Sequence, residues 1–149
     1  MKINSIVRFL FLVTLVIAFA ACHKNPTAPV ITLTEVGHEN SFKAEQGDDM
    51  HLEADILAEG LIKSIHVEIH QENGSYEIEK SYTAGKYIGV KNTEFHEHID
   101  IPADAPLGKY HLHLTVTDNG GQTATAEAHV EVIENDGIDD DEEEHHHED

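Results

Sequence analysis

Residues 108–122 read GKYHLHLTVTDNGGQ, and this stretch decides the fold. From Tyr110 to Val116 its apolar residues alternate with polar ones, which predicts a strand with one buried and one solvated face. The Asp-Asn-Gly-Gly run at 118–121 is typical of a hairpin turn. The returning run at 123–133 alternates in the same way, with Ala or Val at its even positions up to 132. The sequence therefore predicts a β-hairpin.

The hairpin register follows from parity. The apolar faces of both strands use even-numbered residues, so the numbers of two paired residues must add up to an even sum. A two-residue loop would make this sum odd and would turn one apolar face to water. A three-residue loop at 119–121 pairs Leu112 with Ala128 and sets His111 opposite His129, while His113 then faces Glu127. A register shifted by one pair, with a longer loop, leaves His111 and His129 as diagonal neighbours. In both registers the solvated face gathers imidazoles.

Further short alternating runs predict the rest of the fold. They lie at 30–36, 50–57, 65–71 and 95–101, with an edge-like strand at 75–82. Glu97 falls on an inward position, so we expect it near a sheet edge or a bulge. No run has a helical period over a useful length. Residues 30–134 therefore predict one all-β, immunoglobulin-like (Greek-key) β-sandwich of about seven strands.

Part of this pattern also resembles known proteins. The segment PLGKYHLHLTVTDNGG is similar to the last two strands of bacterial immunoglobulin-like domains, with Tyr110 where those domains have a corner tyrosine. More widely, residues 30–132, with EVGHEN, GDDMHLEADI and FHEHIDIP, resemble a family of small Bacteroidota-type immunoglobulin-like lipoproteins. That family has no established activity, so the resemblance implies a fold and a cell-envelope location but no catalytic residues.

The N-terminal segment predicts export. Residues 1–21 carry Lys2 and Arg8 ahead of an apolar run, which is typical of a secretory signal. Small residues directly before Cys22 resemble a bacterial lipoprotein processing site, where the cysteine is lipidated and anchors the chain to the membrane. Ordinary secretion with a free thiol is the alternative. No acidic residues directly follow Cys22, so we expect the periplasmic side of the outer membrane rather than the cell surface.

Two polar segments flank the predicted sandwich. Residues 22–29 have the composition of a short tether, and residues 135–149 form an acidic, His-bearing tail that we expect to be disordered. The whole chain has 29 acidic and 9 basic residues and a net charge of −20. This charge excludes nucleic acid as a partner and attracts cations. A single cysteine argues against thiolate metal ligation.

Histidines at outward positions are the candidate metal ligands. The strands that contain Ile65, Tyr110 and Ala124 are expected to be neighbours, and imidazoles on such a face can converge on one ion. We expect His111, His113 and His129 to bind it. The candidates for the fourth ligand are Glu127, His66 and His70. His66 and His70 lie roughly 13 Å apart along their strand and cannot share one ion.

The sequence predicts a second patch, richer in carboxylates, on the other sheet. Pairing of the strands that contain Met50 and Phe95 brings outward acids and imidazoles together. The outward residues of this patch are His51, Glu53, Asp55, His96, His98 and Asp100. Imidazole and carboxylate without thiol suit Zn²⁺, Cu²⁺ or Ni²⁺, and we expect zinc.

We therefore expect a lipid-anchored envelope protein that binds or buffers divalent metal, with an outer-membrane metal transporter as a natural partner. No serine lies in a nucleophile-elbow motif and an open sheet face offers no cleft, so an enzyme is not expected. A structural or adhesive module that contacts protein or glycan, with incidental histidines, is the competing function. A pH-responsive surface is a third reading of the same imidazoles.

Overall fold

A computed structural model of the protein describes residues 27–135 and residue 137. Eight strands make up this part of the chain: β1 (Val30–Val36), β2 (Lys43–Glu45), β3 (Asp49–Leu57), β4 (Ile62–Gln71), β5 (Glu77–Tyr82), β6 (Asn92–Asp100), β7 (Gly108–Asp118) and β8 (Thr123–Ile133). A single 3-10 turn, His38–Asn40, lies between β1 and β2. Within the described ranges, no helix is long and apolar enough to cross a membrane. The predicted signal segment, Cys22 and nearly all of the predicted tail lie outside those ranges.

The strands form two sheets. One has the order β1-β3-β6 and the other β2-β8-β7-β4-β5, and every pairing is antiparallel except that of β2 with β8. The predicted all-β, immunoglobulin-like sandwich is confirmed, with eight strands rather than about seven. The additional strand, β2, is only three residues long and buries only Ala44 fully. So short a run has no readable alternation, which is why the sequence did not reveal it.

The β7–β8 hairpin has the register of the three-residue loop. Leu112 pairs with Ala128, and His111 pairs with His129. The backbone N–H of Gly121 donates to the carbonyl of Asp118 at 3.0 Å, and Gly121 has a φ of 81°. Glycine occupies this left-handed conformation without the penalty that a Cβ brings. The turn therefore sets both the buried and the solvated faces of the hairpin.

Alternating side chains from both sheets fill the space between them. The largest fully buried side chains include Phe95, Met50, Leu52 and Leu112. Tyr110 is also fully buried, and its hydroxyl donates a 2.7 Å hydrogen bond to the carbonyl of Pro106. This is the corner tyrosine arrangement that the sequence resemblance implied.

Glu97 lies on β6, an edge strand, as we expected for an acidic residue at an inward position of the alternation. The hydroxyls of Tyr82 and Tyr87 donate to its two carboxylate oxygens at 3.0 and 2.8 Å. The ammonium groups of Lys80 and Lys86 lie 3.8 and 3.7 Å away. Because Lys80 and Tyr82 belong to β5, an edge strand of the other sheet, this carboxylate joins the two sheets along one side of the sandwich.

Candidate metal-binding surfaces

The outer face of the five-stranded sheet carries a row of three imidazoles. His70 on β4 pairs with His111 on β7, which in turn pairs with His129 on β8. The ring centroids of His70 and His111 are 5.4 Å apart, and those of His111 and His129 are 4.7 Å apart. The registers of the β4–β7 and β7–β8 pairs therefore place these three rings side by side. A different register in either strand pair would move these rings away from one another.

Glu72 completes a group of ligands at one end of this row. It follows β4 directly, and its backbone N–H donates to the carbonyl of Lys109 at 2.9 Å, which fixes it beside β7. Glu72 Oε1 is 3.6 Å from Nε2 of His111. One ligand atom from each of Glu72, His111 and His129 lies within 4.8 Å of the others. We call these three residues the hairpin group.

The remaining predicted ligands on this face lie outside the hairpin group, and the ring of His113 lies beside that of His70, with 5.1 Å between their centroids. His113 Nδ1 lies 3.7 Å from Glu127 Oε1, directly across the β7–β8 pair. His70 Nδ1 donates to Glu68 at 2.9 Å. His66 shares a 2.8 Å hydrogen bond with the hydroxyl of Ser81 on β5 and lies outside the row. The structure thus brings His111 and His129 together as expected but places Glu72, rather than His113 or Glu127, beside them.

The outer face of the three-stranded sheet carries a second group. His51 on the central strand β3 pairs with His98 on β6, and their ring centroids are 4.3 Å apart. Asp49 accepts a 2.7 Å hydrogen bond from His98 Nδ1 and lies 4.0 Å from His51 Nε2. The three residues bring one ligand atom each to within 4.8 Å of the others. His96 instead donates to Glu53, its partner across the β3–β6 pair.

A third group also includes His51. Glu35 on β1 lies 3.7 Å from His51 Nδ1, and the ring of His38 packs edge-on against the ring of His51 at 5.3 Å between centroids. The ligand atoms of Glu35, His38 and His51 lie within 4.8 Å of one another. The sandwich therefore carries three His/carboxylate groups that could each hold a metal ion.

Sequence reasoning missed four of these ligands. Asp49 shares the odd parity of the outward residues on β3, so the alternation could have indicated it. Glu35 faces outward only because of the register irregularity between Leu33 and Glu35, since Leu33 before it packs against the core. Glu72 lies past the end of its strand, and only the pairing of β4 with β7 places it beside His111. His38 lies in the 3-10 turn, for which neither periodicity nor spacing gives a signal.

All three groups combine imidazole nitrogen with carboxylate oxygen. Such mixed ligands suit Zn²⁺, Cu²⁺ and Ni²⁺ better than Ca²⁺ or Mg²⁺, which prefer oxygen alone. Each group supplies three protein ligands, which leaves a coordination position of a tetrahedral ion for water or for an exchanging molecule. His111 and Glu72 are about one third exposed, at 34% and 36%, so an ion from solvent can reach them.

The chain belongs to the family described as "Domain of unknown function (DUF4625)", whose model matches residues 20–133. The resemblance to a family of unknown function is thereby confirmed. No curated protein has significant similarity to the chain.

The solved structures that are similar to part of the chain include the following two. One is catalytically inactive OgpA from Akkermansia muciniphila in complex with an O-glycopeptide substrate, with 14% identity and a TM-score of 0.49 over 69% of this chain and 28% of that chain. The other is a DUF4466 family protein from Parabacteroides merdae, with 10% identity and a TM-score of 0.49 over 68% of this chain and 43% of that chain. The chain spans less than half the length of either protein.

Proposed function

We propose that this chain is a lipid-anchored cell-envelope protein that binds divalent metal on the faces of its sandwich, with zinc as the preferred ion. The observation that carries the proposal is the hairpin group, in which Glu72, His111 and His129 come from three separate segments and bring their ligand atoms within 4.8 Å. A cluster built by the register of three strands is positioned by the fold itself, unlike histidines that are merely near in sequence.

The electrostatics of the chain favour the same function. A net charge of −20 raises the local concentration of cations near the surface. Neutral imidazoles then supply the directional bonds that distinguish a transition metal from Ca²⁺ or Na⁺. Because the ligands are partly exposed and leave a coordination position open, a bound ion could exchange with a second carrier. We therefore propose capture and buffering, with transfer to an outer-membrane transporter.

Zinc titration by calorimetry tests this function on the full-length chain purified in detergent. The tail histidines are replaced by alanine in every sample, so that the tail cannot mask the sandwich (H145A, H146A and H147A). We expect saturable binding, and we expect H111A combined with H129A to remove one equivalent of zinc. His66→Ala is the matched control, because His66 is on the same face but outside the hairpin group.

Circular dichroism of each variant establishes that the fold is retained. Weak heat that does not saturate in the parent would overturn the proposal and favour the alternative, a structural or adhesive module that contacts protein or glycan. Unchanged stoichiometry in the variant that lacks His111 and His129 would exclude the hairpin group as a site.

A further inference from the structure

The imidazole of His51 lies between two ligand groups. Its Nε2 faces Asp49 Oδ1 at 4.0 Å, and its Nδ1 faces Glu35 Oε1 at 3.7 Å. These nitrogens are on opposite sides of the ring, so the two carboxylates approach different atoms. His98 completes the group with Asp49, and His38 completes the group with Glu35. The two groups share only His51.

The strand order explains why both sides of this ring have ligands. β3 is the central strand of its sheet, with β1 on one side and β6 on the other. His98 comes from β6, directly opposite His51. Glu35 comes from β1, where a register irregularity between Leu33 and Glu35 brings it opposite Glu53, the outward residue that follows His51 on β3. The central position thus gives His51 neighbours in both directions.

The segment that carries His38 is held over His51 in an unfavourable backbone conformation. Glu39, Asn40 and Phe42 all have positive φ values, of 52°, 59° and 58°. Residues with a Cβ pay an energetic cost there, and such segments persist only where other bonds fix them. The N–H of Gly37 donates to the carbonyl of His51 at 2.9 Å, and that of Phe42 donates to Val36 at 2.8 Å. The first bond fixes the turn directly to His51, the residue that the imidazole of His38 approaches, and the second closes the segment onto the end of β1.

We propose that His51 bridges two divalent ions, one held with Asp49 and His98 and the other with Glu35 and His38. The inference rests on the proposed metal-binding function and adds a two-ion centre on the three-stranded sheet. A bridging imidazole coordinates through both nitrogens, so it gives up its remaining N–H proton to solvent. A cation on the first nitrogen favours that loss by stabilising the anionic ring. Each ion then has three protein ligands and an open position.

Copper titration followed by electron paramagnetic resonance tests the bridge, because two Cu²⁺ ions joined through one imidazolate couple their spins and lose signal. The probe is Cu²⁺ alone, and the protein is the full-length chain in detergent. The hairpin group and the tail are disabled in this background (H111A, H129A, H145A, H146A and H147A). We expect the signal to rise with the first equivalent and to fall with the second.

Variants separate the bridge from independent sites. We expect H38A to bind one equivalent with an ordinary signal that does not fall, and H51A to lose the coupling. His96→Ala is the control, because His96 is on the same face but outside both groups and should leave the coupling unchanged. If H51A does not fold, H38A alone tests the bridge. We expect this variant to fold, since His38 is exposed and lies outside the strands.

The outcomes also separate this inference from the proposed function. Two equivalents with additive signals, or one equivalent that H38A leaves unchanged, would overturn the bridge. Neither result touches zinc binding by the hairpin group. Failure of zinc to bind the parent chain would instead remove the function on which the inference rests.

Discussion

At the scale of single residues, Asp118 shows how tightly the start of the hairpin turn is packed. Its side chain is fully buried, and Oδ1 accepts a 2.9 Å hydrogen bond from the N–H of Gln122. The other oxygen, Oδ2, has no hydrogen-bond partner among the residues that the structure describes. A Cβ on Gly60 would clash with this oxygen. A glycine at position 60 therefore makes room for the buried carboxylate.

Gly60→Ala should for that reason destabilise the protein. The added methyl group meets Asp118, which cannot withdraw because it is buried and bonded to the turn. Overpacking of this kind costs about 1–3 kcal/mol. Chemical denaturation of the two proteins measures the difference in the free energy of unfolding.

Gly74→Ala is the matched control for this substitution. A Cβ on Gly74 would meet only the flexible end of the Gln71 side chain, in an exposed turn. That side chain can move away, so we expect a change within about 0.5 kcal/mol. Equal losses in the two variants would contradict the packing argument.

At the scale of elements, two edge strands, β5 of one sheet and β6 of the other, are joined along one side of the sandwich. Besides the bonds to Glu97, the ammonium group of Lys80 donates to the carbonyl of His98 at 3.0 Å. Partial burial raises the pKa of Glu97, but the hydrogen bonds from Tyr87 and Tyr82 and the charges of Lys80 and Lys86 outweigh it. The net result is a lowered pKa. The ionised carboxylate is thus the form that joins β5 to β6.

Glu97→Gln should destabilise the protein at neutral pH by about 1–3 kcal/mol, because hydrogen bonds to an ionised group are lost. The pKa of Glu97 is lower in the folded state than in the unfolded state. The stabilisation by its carboxylate is therefore complete above the ordinary value of 4.5 and is lost as the pH falls through the folded pKa. The difference between wild type and variant should therefore shrink on acidification. Denaturation curves at neutral pH and well below 4.5 measure this.

The control for Glu97→Gln is Glu94→Gln, on the same strand but exposed and opposite Asp55. Removal of its charge relieves repulsion and should not destabilise the protein. A destabilisation by Glu97→Gln that stays constant with pH would argue against an ionised link between the sheets.

The elements also show where sequence reasoning succeeds. The parity of apolar residues predicted the strands and fixed the hairpin register to within one pair, with His111 and His129 as neighbours in either case, because a shift of one residue would expose an apolar face. The fold class predicted that the strands of Met50 and Phe95 pair, which brings His51 near His98, but not the register that sets the two opposite each other. Positions outside periodic runs could not be predicted in this way. Glu72 depends on the strand pairing beyond the end of β4, and His38 depends on a turn whose conformation is set by long-range hydrogen bonds.

At the scale of the whole molecule, the proposed anchor at Cys22 determines how the sandwich would be presented. Cys22→Ser in the full-length chain should move the protein from the membrane fraction to the soluble fraction, since lipidation requires the thiol. Fractionation of cells that express each form measures this, with Ser41→Ala as a control substitution that leaves Cys22 intact. Retention of the Ser variant in the membrane would contradict a lipid anchor.

The sandwich has two poles, which lie at the two ends of its strands. β1 begins beside Leu57, at the pole where the N–H of Asn119 donates to Leu61. His51 lies six residues back along β3, and His129 lies six residues beyond Thr123 on β8, which places both roughly 20 Å toward the opposite pole. A sandwich held by its N-terminal pole would carry all three ligand groups on the half that faces away from the bilayer. Any protein that collects the metal would have to approach from the aqueous side, and lipid headgroups would not compete for the ion.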